Sequence, residues 1–301
     1  MTANRLTRYM LIVLALPVVL LLPGCGTESE VPEKKTEAKL VALVSAAIDS
    51  DGELANDAIQ YADYTLARQQ LGLADDANIY NISPTFLLDP LIYATRPDAP
   101  PLVGAIDGSS VQAAAGRSMV GATALVALRT TQPFSEIAKA LSEAGYVERR
   151  GLLVSPRDGS HVVFPVVADA GGSVVVLGES PRFVRGVLES REPNSPRTAD
   201  LIDSVSGPRR MATSLNESCA VAAAAGQNLS PRDGEYLLQV EGDASDAEQY
   251  LLDRSKVGQS GGIVFGEPDV EGDVLRVEFT YTDTANSAIG ALPPDDGRFA
   301  C

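Results

Sequence analysis

Several residue types are scarce in this chain, and each scarcity limits the chemistry open to it. The 301 residues contain no tryptophan, one histidine (His161) and three cysteines. The lack of tryptophan weakens a carbohydrate-stacking function. No C-x-x-C pair, histidine cluster or G-x-x-x-x-G-K loop is present, so neither zinc nor a nucleotide phosphate has its usual ligands. We therefore expect no metal and no other cofactor.

Basic residues are also scarce. Lysine and arginine together number 24 against 40 aspartates and glutamates, which gives a net charge of −16. Such a chain repels phosphate backbones and anionic headgroups. We expect no nucleic-acid partner and no membrane contact through a basic patch.

Long apolar runs are absent apart from one near the N-terminus. Arg5 and Arg8 precede thirteen uncharged residues, Met10 to Leu22, which are interrupted by Pro17. This layout is typical of a secretory signal. As a helix the run would measure roughly 20 Å, against about 30 Å of bilayer hydrocarbon. We expect it to be removed as a signal peptide.

The run ends in Leu22, Pro23, Gly24 and Cys25, which resembles the lipobox of bacterial lipoproteins. The resemblance implies a signal peptide over 1–24, cleavage between Gly24 and Cys25, and a diacylglyceryl group on the Cys25 thiol. Two acyl chains on one residue suffice for stable anchoring. The predicted location is the extracytoplasmic face of the cell membrane, with residues 25–37 as a flexible tether. An ordinary secreted protein with a coincidental cysteine is the alternative.

Lipidation of Cys25 leaves two cysteines, Cys219 and Cys301. Exported proteins meet an oxidising compartment, so we expect these two to form a disulfide. The bridge would close a loop of 83 residues, with an upper stabilisation of roughly 4.5 kcal/mol from chain entropy.

The order of the predicted elements indicates an α+β fold built from tandem βαββα units. The units would form antiparallel sheets covered by helices and follow an N-terminal segment of helix, strand and irregular chain over 38–120. The first unit spans 121–190, a helical connection spans 191–233, and the second unit spans 234–301. An offset of roughly 110 residues relates the two units.

Individual elements rest on periodicity. Phe134, Ile137, Ala138 and Leu141 share one helical face, which predicts an amphipathic helix that ends near Gly145. Strands are predicted over 122–130, 161–169, 172–179, 235–242, 261–268 and 273–283, and helices over 180–190, 245–255 and 284–292.

The motif Ser-Pro-Arg-Asp-Gly occurs at 155–159 and again at 230–234, each time before a predicted strand. Pro and Asp-Gly are turn residues, so we interpret both copies as turns rather than as a shared binding motif. Ser180 followed by Pro181 predicts a capped helix start.

One apolar segment, residues 78–103, is interrupted by five prolines and fits neither a helix nor a strand. It is most simply irregular chain over a sheet edge. Alternatively, it forms a groove for a ligand or partner, lined by Tyr80, Phe86, Leu91 and Tyr93.

Three functional hypotheses follow. The first is a non-enzymatic, lipid-anchored module that binds a partner or holds an envelope assembly together. The second is an anchored carrier of an amphiphilic or apolar small ligand. The third is an exported hydrolase, which would depend on His161, although no G-x-S-x-G elbow accompanies it.

Overall fold

The chain folds as an α+β protein around one large antiparallel sheet. A computed structural model describes residues 32–45, 58–79, 102–118, 125–156, 164–189, 200–214, 220–241, 244 and 263–282. Within these residues the sheet has 13 strands, and all of its pairings are antiparallel.

The strands of the N-terminal half are β1 (Ala58–Asp63), β2 (Val111–Ser118), β3 (Leu125–Thr130), β4 (Val147–Arg149), β5 (Leu152–Val154), β6 (Val166–Asp169) and β7 (Val174–Gly178). Those of the C-terminal half are β8 (Arg209–Ser214), β9 (Ala220–Gln227), β10 (Asp233–Val240), β11 (Ile263–Phe265), β12 (Asp269–Glu271) and β13 (Val274–Tyr281). The described helices are α1 (Pro32–Ser45), α2 (Tyr64–Gln70), α3 (Leu102–Ala105), α4 (Phe134–Glu143) and α5 (Pro181–Glu189).

The strand order is β11-β13-β10-β9-β8-β1-β2-β3-β7-β6-β5-β4, and β12 also pairs with β13. The order is matched on the two sides of the central β1–β8 pair. Moving outward, the N-terminal half places β2, β3 and β7, and the C-terminal half places β9, β10 and β13. Strands β1 and β8 both have 6 residues, and β2 and β9 both have 8.

Helices cover both faces of the N-terminal half. On one face, here called face A, α2, α3 and α4 bury the apolar side chains of β3 and β7, such as Leu128 and Leu177. Ile137 and Leu141 provide the buried side of α4, as the sequence predicts. Tyr146, which follows this helix, donates a hydrogen bond from its hydroxyl to the carbonyl oxygen of Phe164 at 3.0 Å.

On the opposite face, face B, α1 and α5 pack over Leu125 and Val176. Helix α5 begins as its sequence predicts: Pro181 is the first helical residue, and the Ser180 hydroxyl accepts a hydrogen bond from the Phe183 amide at 3.2 Å. Every residue of β7 is buried as a result.

The outer strands of the C-terminal half bury a continuous core on face A, whereas on face B only Leu237 of β10 is buried and Val274 of β13 is partly buried. Leu275, Val277, Phe279 and Tyr281 alternate along β13 with exposed or half-buried residues. This two-residue period is typical of a strand with one buried face and one solvent-exposed face. Next to Leu237 and Val274, Asp233 and Glu235 of β10 and Glu278 and Thr280 of β13 are exposed or half-buried and form an open part of face B.

The structure corrects the predicted helical connection over 191–233. Residues in that range form β8 and β9 in the middle of the sheet. The run AVAAAAGQ of β9 is rich in alanine, the strongest helix former, but burial on both faces and ladder bonds to two neighbours override that propensity. Strand β2, with the sequence VQAAAGRS, was missed within 38–120 for the same reason.

Two smaller differences concern element boundaries. The first unit contains an added hairpin, β4–β5, between α4 and β6, since its strands of 3 residues are too short to show a period. Helix α1 begins at Pro32, inside the segment predicted as a tether over 25–37, and the run Glu33 to Glu37 is made of good helix formers apart from Thr36. The predicted helices 245–255 and 284–292 lie outside the described residues.

Among the described helices, none combines the length and the apolar character needed to cross a bilayer.

Candidate functional site

The open part of face B holds a cleft of about 510 Å³ over β10, β13 and β11. That volume lies within the range of small-ligand or side-chain sites. Three carboxylates line it, Asp233, Glu235 and Glu278. Val264 of β11 forms its apolar rim and is 59% exposed, whereas the Phe265 ring packs on face A against Phe279.

Glu235 is held in place by both of its carboxylate oxygens. Its Oε1 accepts a hydrogen bond from the Ser206 amide at 2.6 Å, and its Oε2 pairs with Arg276 Nη1 at 2.5 Å. The same Arg276 nitrogen also reaches the Ser204 carbonyl oxygen at 3.2 Å. Because both oxygens are engaged, the Glu235 carboxylate has a fixed position in the wall of the cleft.

Ser206 lines the cleft because a glycine lets its backbone cross the sheet closely. A Cβ on Gly226 would lie 1.9 Å from the Ser206 carbonyl oxygen. Gly207, at φ +107°, has the positive φ that this crossing requires. The absence of a side chain at Gly226 therefore brings the Ser206 amide within reach of Glu235.

Asp233 is fixed from the other end of the cleft. Its Oδ1 accepts from Asn228 Nδ2 at 2.9 Å, and its carbonyl oxygen accepts from the Asn228 amide at 2.8 Å. Gln70 of α2 donates to Asn228 Oδ1 at 2.9 Å and accepts from the Leu229 amide at 2.7 Å. One side chain of the N-terminal half thus holds the β9–β10 turn of the C-terminal half.

Tyr281 supports that turn from face A. Its hydroxyl donates to the Asn228 carbonyl oxygen. Burial raises the pKa of Tyr281 above its ordinary value, while a hydrogen bond with Gln227 opposes the rise. The phenol therefore stays protonated and acts as a fixed donor beneath the cleft.

Glu278 differs from the other two carboxylates. It is exposed, and its side chain makes no hydrogen bond or ion pair within the part of the chain that the structure describes. It lies directly opposite Glu235 in the β10–β13 ladder. Like charges in that position destabilise a sheet, so this pair is unfavourable for folding alone.

Among the described residues, those that line the cleft supply carboxylates and the hydroxyls of Ser206 and Thr280, which can accept hydrogen bonds from a cationic or polar group. Nowhere in the described ranges do three or more His, Cys, Asp or Glu side chains converge as they would around a metal ion.

The structure tests none of the sites predicted from the sequence. Outside the described residues are Gly24, Cys25, Tyr80, Phe86, Leu91, Tyr93, His161, Cys219 and Cys301. The anchor, the disulfide, the apolar groove and the histidine of a hydrolase all stay predictions.

Sequence reasoning missed the cleft, although its signals are present. In "DVLRVEFTYTD" the alternation puts Arg276, Glu278 and Thr280 on one face, which marks an exposed polar surface. Asp233 belongs to the second Ser-Pro-Arg-Asp-Gly motif, which was interpreted as a turn. Only the pairing of β10 with β13 brings these residues together.

No protein-family model, curated protein or solved structure matches this chain. Its function must therefore be inferred from its own residues.

Proposed function

We propose that this protein is a lipid-anchored, extracytoplasmic binding module without enzymatic activity, and that it binds its partner through the open part of face B. One observation carries the proposal: the outer strands of the C-terminal half are buried on face A and present carboxylates, an exposed valine and a cleft on face B. A surface of this kind is suited to a protein partner, since its polar groups are positioned by the backbone of rigid strands.

The anchor rests on the resemblance of residues 22–25 to a lipobox. Its test is metabolic labelling with palmitate in cells that express the wild type or Cys25→Ser. We expect label on the wild type alone, processing that is sensitive to globomycin, and release of the variant from the membrane fraction. An unlabelled wild type, or a mature chain that begins at another residue, would contradict the anchor.

The binding surface is tested by a photo-crosslinking residue placed at Thr280, on the exposed side of β13. The matched control carries the same residue at Glu148, which is exposed on β4 in the N-terminal half. In intact cells we expect a discrete cross-linked species from position 280 and none from 148. Equal patterns from the two positions would contradict a dedicated surface.

We also propose that the two halves of the sheet are tandem units related by duplication, each with a βαββα core. The equal lengths of β1 and β8 and of β2 and β9 support this, as does the matched strand order on either side of the central pair. The β4–β5 hairpin is then an insertion in the first unit.

A further inference from the structure

We propose that the occupant of the cleft is an arginine-bearing segment of another exported protein. This inference rests on the proposed function and adds the chemistry of the partner. It depends on the charges of the cleft, on a comparison with the corresponding place in the other half of the sheet, and on the apolar rim.

The charge of the cleft is negative after its internal pairing. Arg276 neutralises Glu235, which leaves the charges of Asp233 and Glu278. Asp233 already accepts from Asn228, whereas both oxygens of Glu278 are available. A guanidinium suits this arrangement because its planar donors engage a carboxylate through two parallel hydrogen bonds.

The corresponding place in the N-terminal half is covered by a helix. We align β1 with β8 residue by residue, starting with Ala58 and Arg209, and follow the ladder pairs outward in each half. In this alignment Leu125 of β3 corresponds to Glu235 of β10, and Gly178 of β7 corresponds to Glu278 of β13. Helix α5 packs directly on Gly178: a Cβ there would lie 2.6 Å from Val184 Cγ2.

At these positions the C-terminal half has two opposed carboxylates in place of leucine and glycine. An apolar helix such as α5 could not pack on them. Covering them without a cation would bury unpaired charge, which is strongly unfavourable. On face A, by contrast, the residues of both halves are apolar: Leu128 corresponds to Leu238, and Leu177 corresponds to Val277. The change in character is confined to the face that holds the cleft.

The apolar rim favours a long cationic side chain over a small cation. Val264 lies opposite Thr280 in the β11–β13 ladder and is 59% exposed on face B. An arginine or lysine side chain can lay its methylene stem on such a surface while its charge reaches a carboxylate.

The negative charge of this chain argues against two other occupants of the cleft, namely a second copy of the chain and its own C-terminal segment. A second copy of the chain carries the same net charge of −16 and would repel the first. Residues 283–301 contain three aspartates and one arginine, so this C-terminal segment is itself acidic. A basic segment from a different molecule therefore fits the charge of the cleft better than either of these two.

The test measures fluorescence anisotropy of a labelled peptide, Ala-Arg-Val-Arg-Val-Arg-Ala, with the full exported chain in detergent at 150 mM salt. Controls are the same peptide with glutamate for arginine, and spermine as a small polycation. Glu278→Gln removes the free carboxylate, and Glu148→Gln is the matched change on the surface of the other half. Thr280→Lys places a fixed cation in the cleft.

We expect saturable binding of the arginine peptide, at least fivefold weaker binding with Glu278→Gln and Thr280→Lys, and a change below twofold with Glu148→Gln. The glutamate peptide should not bind. Equal weakening by Glu278→Gln and Glu148→Gln would overturn the proposal, because it would mean non-specific attraction to an acidic chain. Displacement by spermine at concentrations equal to those of the peptide would overturn it in favour of a polyamine site. If the peptide fails to bind while cross-links from position 280 persist, the basic partner is wrong and the binding module stands.

Discussion

The two halves of the sheet share a strand order but differ in what covers them. In the N-terminal half, helices lie on both faces, and the five residues of β7 are all buried. In the C-terminal half, β13 alternates between a buried face and a face that carries Arg276, Glu278 and Thr280. Corresponding strands are thus buried on face B in one half and exposed on face B in the other. The difference follows from the polarity of the side chains on that face.

The difference is sharpest at one pair of corresponding positions, Gly178 and Glu278. At Gly178 the sheet has no side chain because a helix approaches it. At Glu278 the sheet carries a charge that faces solvent and lies opposite another charge. Four predictions test this contrast and the contacts that maintain it.

The largest effect is expected from Gly178→Glu. The new carboxylate would meet Val184 and Leu125 in a buried position, and an unpaired buried charge costs more than about 4 kcal/mol. The measurement is the free energy of unfolding from urea titration. Thr280→Glu is the control on the open face and should cost less than about 1 kcal/mol. Similar losses for the two variants would mean that the halves do not differ as described.

Arg68→Met should cost about 3 kcal/mol in the N-terminal half. Arg68 is 2% exposed, and its guanidinium donates to the carbonyl oxygens of Ala77, Val111 and Gly108 at 2.8, 2.9 and 3.1 Å. Burial lowers the pKa of this guanidinium, although nearby carboxylates, first of all Asp75, oppose the shift. Removing it leaves several buried acceptors unpaired.

Arg149→Met, on the exposed strand β4, is the matched control and should change the free energy of unfolding by less than about 0.5 kcal/mol. A loss of that small size for Arg68→Met would show that water replaces the guanidinium and that its bonds do not hold the loops together.

Gly226→Ala should cost about 2 to 3 kcal/mol, since its Cβ would lie 1.9 Å from the Ser206 carbonyl oxygen and must displace backbone. The displacement also separates the Ser206 amide from Glu235. We expect lower stability in urea together with weaker peptide binding at the cleft. Gly104→Ala, where nothing lies within 4 Å of the new Cβ, should leave peptide binding unchanged and should not lower the stability, since alanine is the better helix former.

The smallest effect concerns pH. Burial raises the pKa of Tyr281, so the unfolded chain releases this proton first, near pH 10. The contribution to stability is full below that pH and is lost as pH rises through the folded-state pKa. The difference in unfolding free energy between the wild type and Tyr281→Phe should shrink between about pH 9 and 11. A difference that is independent of pH would contradict the buried environment of the phenol.

Sequence periodicity was sufficient where local pattern and tertiary environment agree. The apolar face of α4, the Ser180 cap of α5 and the alternation along β13 follow from residues within a few positions of each other. Periodicity was insufficient for β2 and β9, because their alanine runs favour a helix unless neighbouring strands on both sides supply ladder hydrogen bonds. Periodicity also could not predict the cleft, because Glu235 and Glu278 come from strands that are distant along the chain.

Polarity and a period of two or 3.6 residues are enough to tell which side chains can face water and which must be buried. Which strands are neighbours, which alanines lie in strands and which face of each half is covered follow from the folded arrangement instead. Those outcomes depend on contacts between residues far apart in the chain, and such contacts leave no local periodicity. The opposed carboxylates at 235 and 278 exist as a pair only because β10 and β13 lie side by side.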